Sequence, residues 1–366
     1  MTDPPAAITE QTDVAVIGAG PAGLFCVFEC GMLKMSCHVI DALDAVGGQC
    51  RALYPQKPIY DIPGYPEILA GDLVSSLEKQ AGVFDPVYHL GCQVVGMGER
   101  EDGRWRLETS ARGRPSAMGR PSSAMGRPSV GSVIDAKAVI IAAGVGAFGP
   151  KRPPLEGIMD FEGRGPGRGV HYFVANREDF RDKRVVIAGG GDSAVDWAIS
   201  LSGLAKSVAV VHRRQKFRAA PGSAEKLKAL AAAGKIEIVT PYQLAGLDGE
   251  ADLKAVIVRD MDGDTRSLEA DVLLPFYGMS QNLGPIAEWE LDLEKGRILV
   301  DPASCATNRP GVFAIGDIAT YPGKLKLILS GFAEAAQAAH AAFPIVRPSD
   351  ALHFEYSTTQ GLPEKD

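Results

Sequence analysis

Two short glycine-rich turns, each entered from an apolar run and followed by a helix-compatible stretch, constrain this chain of 366 residues more than any other feature. The first is Val14-Ala-Val-Ile17 leading into Gly18-Ala-Gly20-Pro-Ala-Gly23. The second is Val185-Val-Ile-Ala188 leading into Gly189-Gly190-Gly191-Asp192-Ser193-Ala194. In such a turn the first glycine permits the tight bend, the second lets a pyrophosphate approach the backbone, and the third lets strand and helix pack closely. One turn of this kind speaks for a bound nucleotide, and two speak for two dinucleotides on one polypeptide.

The segments around the turns complete two βαβ units. Apolar Leu24 to Leu33 predicts a helix, and Cys37-His-Val-Ile40 predicts a strand ending in Asp41. Val185 to Val211 repeats the pattern, with a helix expected from about Ser193 to Leu201 and a strand Val208-Ala-Val-Val211 ending in His212-Arg213-Arg214. Ala138-Val-Ile-Ile-Ala142 and Val272-Leu-Leu-Pro-Phe276 read as short buried strands whose ends, near Phe148 and Gly278, act as hinges. The expected fold class is therefore α/β, with two nested Rossmann-like three-layer dinucleotide-binding domains. One would span 1-148 and 279-366 and the other 149-278, so that the second interrupts the first. Within the first, Gly-Arg-Pro-Ser occurs at 113, 119 and 126, and segment 111-132 is too poor in apolar side chains to bury itself. It is expected to be a disordered insertion between two strands. Gly163 to Gly169 is a shorter loop of similar composition.

Composition narrows the function classes. A net charge of -7 without a long basic block speaks against nucleic acid as a partner. No apolar run reaches the length of about 18 residues that a membrane span needs. The start, Met1-Thr-Asp-Pro-Pro, lacks a signal-peptide pattern, so a cytoplasmic location is expected. Six cysteines, Cys26, Cys30, Cys37, Cys50, Cys92 and Cys305, never form Cys-x-x-Cys and read as reduced, buried thiols.

The residues at the end of the second strand of each unit sort the two nucleotides. Asp41 is placed to accept hydrogen bonds from a ribose with free hydroxyls, which suits FAD or NAD at Gly18, Gly20 and Gly23. After the second turn, His212, Arg213, Arg214 and Arg218 stand where the ribose acid would be. Guanidinium forks there suit the 2′-phosphate of NADPH, with Gly189, Gly191, Asp192 and Ser193 near the pyrophosphate. Ser193 is also a candidate helix cap. A third element, Asn308 to Ile315 delivering Gly316-Asp317, reads as an apolar strand that brings a carboxylate to the ribityl chain or pyrophosphate of FAD.

In this order the motifs resemble the two-dinucleotide flavoprotein disulfide reductases, of which thioredoxin reductase is the nearest type. Neither place where such enzymes keep a cysteine pair has one: Gly169 to Val174 holds no cysteine, and Gly47-Gly-Gln49-Cys50 holds one. Over nearly its whole length the chain is similar to the thioredoxin-reductase-like branch of ferredoxin-NADP reductases. The resemblance rests on Gly47 to Gly64, Gly189 to Ala198, Gly316 to Ile328 and Phe354 to Thr359. It implies that Gln49, Val94, Phe148 and Thr358 line FAD and that Tyr54 stacks on one flavin face. Tyr356 would cover the other face from the tail of a second subunit, which implies a homodimer. The implied reaction carries electrons between NADPH and ferredoxin or flavodoxin, by hydride transfer to flavin N5 and release of single electrons. No protein acid or base is required, although Asp61 and Thr358 could tune the flavin. Lys324 and Lys326 are candidate contacts for an acidic carrier. Two other readings stay open: a thioredoxin-reductase-like protein that takes its disulfide from a partner, and a flavin-binding redox sensor or interaction protein.

Overall fold

The computed structural model describes residues 8–110, 130–352, 358 and 361–362. The chain divides into two compact units, one built from Met1–Phe148 with Gln281–Asp366 and the other from Gly149–Ser280. The second junction thus falls just past the Gly278 end read from the sequence. The two crossing segments, Ala147–Pro150 and Met279–Asn282, pair as a two-stranded sheet.

The first unit is organised by a seven-stranded sheet. Strand β1 (Ile8–Ile17) lies parallel to β2 (Cys37–Asp41) on one side and to Val130–Ile141 on the other. Val87–Leu90 adds in parallel outside β2, and Val312–Ala314 pairs in parallel with Val130–Ile141. Trp105–Ser110 and then Val94–Glu99 continue the sheet antiparallel. Successive side chains alternate between the faces. Val14, Val16, Val39 and Ile140 therefore pack in one core with residues of α1 (Pro21–Met32), α3 (Ala70–Gly82) and the long helix Ile328–Val346. Ala15, Ile17, Ile40, Val139 and Ile141 pack on the other face with Trp105, Leu107 and Ile298.

Val130–Ile141 begins well before the apolar run at Ala138, because its polar residues are paired rather than solvated. Asp135, 2% exposed, accepts hydrogen bonds from Arg100 (2.6 Å) and Arg106 (3.0 Å). Residues 130–132, expected within the insertion, belong to this strand, whereas the rest of that segment, 111–129, lies outside the described residues. The Arg106 guanidinium, followed by Arg100, holds the Asp135 carboxyl below the usual carboxylate range against the opposing effect of burial. Its folded pKa lies below its unfolded one, so the stabilisation is full above about pH 4 and lost as the pH falls through the lower, folded value. Urea midpoints measured between about pH 5 and pH 2 should fall less steeply in Asp135→Asn than in the parent. Parallel curves would refute this contribution.

The second unit holds a parallel sheet in the order Gly169–Val170, Val272–Pro275, Arg184–Ala188, Ser207–Val211, Glu237–Val239. Helices α4 (Asp192–Leu201) and α5 (Pro221–Ala232) accompany it. A three-stranded antiparallel sheet, Gln243–Gly249, Leu253–Arg259 and Thr265–Glu269, was not expected from the sequence. Its Val256, Val258 and Leu268 share a core with Val186, Ala188 and Leu273. All six cysteines are buried free thiols. Among the described residues no helix is long and apolar enough to cross a membrane.

Candidate functional site

Two of the first three glycines are required by packing and one is not. Gly18 has φ +110°, and a Cβ there would stand 2.4 Å from the Ala142 carbonyl oxygen. A Cβ on Gly23 would stand 2.0 Å from the Gly18 carbonyl oxygen. These residues let strand, turn and helix touch. A Cβ on Gly20 would meet nothing within 4 Å, so this glycine leaves open space. Gly20 is also the N-cap residue of α1, with Pro21 next and no capping side chain, which leaves the first-turn amides without a side-chain acceptor. Open space at an uncapped helix N-terminus fits a pyrophosphate.

Three distant segments close on this turn. Asp41, at the end of β2, accepts hydrogen bonds from the Ala19 N–H (2.7 Å) and the Leu43 N–H (2.8 Å). Burial pushes its pKa up against those two bonds, and each oxygen retains acceptor capacity for a ribose hydroxyl. The Gly47 N–H donates to the Ala19 carbonyl at 2.7 Å, and a Cβ on Gly48 would lie 3.2 Å from Gly20 Cα. Gln49, on the short helix α2 (Gly48–Ala52), brings its amide nitrogen within 3.7 Å of where a Cβ on Gly144 would sit. Cys50 Sγ lies 3.6 Å from Tyr54 Oη. Burial, reinforced by the negative charge of Asp317, pushes both the Cys50 thiol and the Tyr54 phenol up, so both are protonated at neutral pH.

Gly316 is held by a residue that the sequence reading missed. Its N–H donates to Glu334 Oε2 at 2.7 Å, while Glu334 Oε1 accepts from Tyr321 Oη at 2.7 Å and pairs with the Lys324 ammonium. The Glu334 side chain is 2% exposed and that of Lys324 6%. Lys324 is therefore an internal counter-ion and not the surface contact expected of it. The missed signal was a single acid set in the alanine-rich run Phe332 to Phe343. A Cβ on Gly331 would lie 3.1 Å from Ala22 Cβ and 3.6 Å from Gly316 Cα, so the Gly-Asp element, the long helix and the start of α1 meet at one place.

The second turn divides its glycines differently. A Cβ on Gly190 would stand 2.3 Å from the His212 ring, whereas one on Gly191, the N-cap residue of α4, would meet nothing within 4 Å. The helix starts at Asp192, so Ser193 lies within its first turn and is not the cap. Asp192 accepts a hydrogen bond from the Ala220 N–H (2.8 Å), and the Arg218 N–H donates to the Gly190 carbonyl (2.7 Å). The segment after Val211 thus folds back onto the turn. His212 is 8% exposed, stacks on Phe217 with ring centroids 5.4 Å apart, and leaves its buried Nε2 without a hydrogen bond. Burial, then Arg218, Arg213 and Arg214, hold its pKa down. His212 is therefore held as a neutral ring packed against the turn. Arg213, Arg214 and Arg218 are exposed and supply the positive charge.

Of the remaining expected residues, Val94 is 4% exposed, with its side chain in the apolar core, so a ligand contact there would have to use its main chain. Thr358, Asp61 and Lys326 are exposed. Phe148 belongs to a described strand, but its side chain, like all of Tyr356, lies outside the described residues.

Residues 12–342 match the family model for pyridine nucleotide-disulphide oxidoreductases. A ferredoxin–NADP reductase of Paramagnetospirillum magneticum is 59% identical over 97% of this chain and 98% of its own. One from Rhodospirillum rubrum is 57% identical over 96% of this chain and 97% of its own. Among solved structures, a thioredoxin reductase of T. acidophilum has a similar fold, with a TM-score of 0.74, 22% identity and coverage of 91% of this chain and 98% of its own. That of Lactococcus lactis has a TM-score of 0.72 at 23% identity, covering 92% and 99%. The chain has the α/β two-domain dinucleotide-binding fold of those structures and belongs to the pyridine nucleotide-disulphide oxidoreductases, within them to the ferredoxin–NADP reductases.

Proposed function

We propose that this chain is an FAD-dependent reductase that carries electrons between NADPH and ferredoxin, with flavodoxin as a second carrier. FAD would be held by Gly18, Gly20, Gly23, Asp41, Gln49, Tyr54 and Asp317, with Val94, Phe148 and Thr358 as further contacts. NADPH would be held by Gly189, Gly191, Asp192 and Ser193, and by Arg213, Arg214 and Arg218 with His212 beside them. When bound, the flavin supplies the conversion of a two-electron donor into single electrons. The protein's contribution is to bind, orient and exclude water. The open faces at Gly20 and Gly191 admit the pyrophosphates, the exposed arginines select a 2′-phosphate, and Tyr54 offers a half-buried, neutral ring.

The observation that carries the reading over a dithiol enzyme is Cys50. It is the one thiol in the Gly47 to Tyr54 segment, buried and bonded to the Tyr54 hydroxyl, and its raised pKa removes nucleophilic thiolate at neutral pH. Electrons would then leave without a resident disulfide. For an acidic carrier, exposed Lys326 is the remaining candidate contact, beside Leu325, which is 62% exposed. A homodimer with Tyr356 over the flavin of its partner belongs to the same reading, and light scattering on the holoenzyme would test it.

Turnover with NADPH is expected to reduce cytochrome c only when ferredoxin is added, and not to reduce a thioredoxin. The reverse result would overturn the assignment. In the same assay Arg213→Gln/Arg214→Gln should raise the KM for NADPH at least about 100-fold, since each of the two charged hydrogen bonds is worth about 1.5–3 kcal/mol, and should leave the KM for NADH unchanged. An equal loss with both nucleotides would show that the arginines do not read the phosphate.

A further inference from the structure

Glu10, His38 and His89 come from three neighbouring parallel strands, β1, β2 and Val87–Leu90, and have no part in the nucleotide turns. His38 Nδ1 lies 3.0 Å from His89 Nε2. Glu10 Oε2 lies 3.8 Å from the first nitrogen and 4.0 Å from the second. The histidine side chains are 10% and 13% exposed and that of Glu10 34%, so the group opens to solvent on the Glu10 side. The point equidistant from three atoms separated by 3.0, 3.8 and 4.0 Å lies about 2.1 Å from each, which is the Zn–N and Zn–O bond length. We propose that these residues form a site for a divalent transition-metal ion of the zinc class, with water completing the coordination.

The donor set supports that choice of ion. Two imidazoles and one carboxylate suit zinc, nickel or copper, whereas magnesium and calcium take oxygen ligands. The site would clip the outer strand Val87–Leu90 to β2 where Ile40 pairs with His89, beside Asp41 at the end of the strand. Its role would be to fix the strand that delivers that carboxylate.

The test uses FAD-loaded protein stripped with a chelator and titrated with zinc alone, read by calorimetry and by thermal unfolding. One equivalent per chain and a raised unfolding temperature are expected. Both His89→Gln and Glu10→Gln should weaken binding at least about tenfold and lose the thermal gain, since loss of outer-shell partners alone costs about 10–100-fold in affinity. Glu10→Gln alters only a partly exposed residue, so it remains informative if the histidine variant folds poorly. With one equivalent of Cu²⁺, the paramagnetic resonance spectrum should show two coupled nitrogens in the parent and one in His89→Gln. The proposal is overturned if no zinc binds, or if it binds equally well to both variants, which would place the metal on the thiols or elsewhere.

Discussion

Replacing Glu334 by alanine is expected to destabilise the first unit by about 3–5 kcal/mol and to empty its flavin site. The substitution leaves the Lys324 ammonium, 6% exposed, as an unpaired buried charge, and it removes the acceptor of both the Gly316 N–H and the Tyr321 hydroxyl. Breaking such a pair costs more than the pair contributes, because the abandoned charge keeps its desolvation penalty. Glu334→Gln/Lys324→Met should therefore be more stable than Glu334→Ala, since it removes the orphaned charge and keeps a hydrogen bond to each partner, the amide oxygen accepting from the Gly316 N–H and the amide NH2 donating to the Tyr321 hydroxyl oxygen. Denaturant midpoints and the FAD content of purified protein measure both effects. If Glu334→Ala unfolds at the parental midpoint and keeps its flavin, the network does not hold Gly316 in place.

The second large effect separates two glycines of one turn. Gly23→Ala is expected to cost the fold about 1–3 kcal/mol or more, because its Cβ would meet the Gly18 carbonyl, a backbone atom that cannot swing away, at 2.0 Å. Gly20→Ala should leave the unloaded protein as stable as the parent. Its φ of -72° is one that any residue adopts, and its Cβ enters empty space. That space is where a pyrophosphate must approach, so FAD affinity should fall at least about tenfold, or about 1.4 kcal/mol. Thermal unfolding of unloaded protein, together with flavin titration, distinguishes a loss of fold from a loss of binding. Unchanged FAD affinity in Gly20→Ala would remove the turn from the flavin site.

Both βαβ units were legible because each repeats a short local pattern: an apolar strand, a turn that only small residues can make, and a helix. Asp41 and Arg213-Arg214, the proposed discriminators, end or follow the strands that present them, so spacing alone placed them beside the turns. His212 lies in the same run as those arginines, yet its ring turns inward to fill the space that Gly190 leaves open. The sequence pattern does not record which way a side chain faces at the end of a strand. Val130–Ile141 was cut short in the sequence reading for a related reason. Asp135 looks like the end of an apolar run until Arg100 and Arg106, from another part of the sheet, neutralise it.

The sequence by itself determined that this chain has two glycine turns after apolar strands, which of them is followed by the acid Asp41 and which by a cluster of arginines, and that no cysteine pair stands beside either. These are local facts, set by the steric needs of a glycine turn and by the charge next to it. Tertiary structure decided which polar residues are internal. Lys324 became a buried counter-ion, Glu334 became the acceptor that holds Gly316, and Cys50 became a protonated partner of Tyr54. It also brought Glu10, His38 and His89 together from three strands. Such contacts depend on burial and strand order, and both arise only when segments far apart in the chain share one sheet.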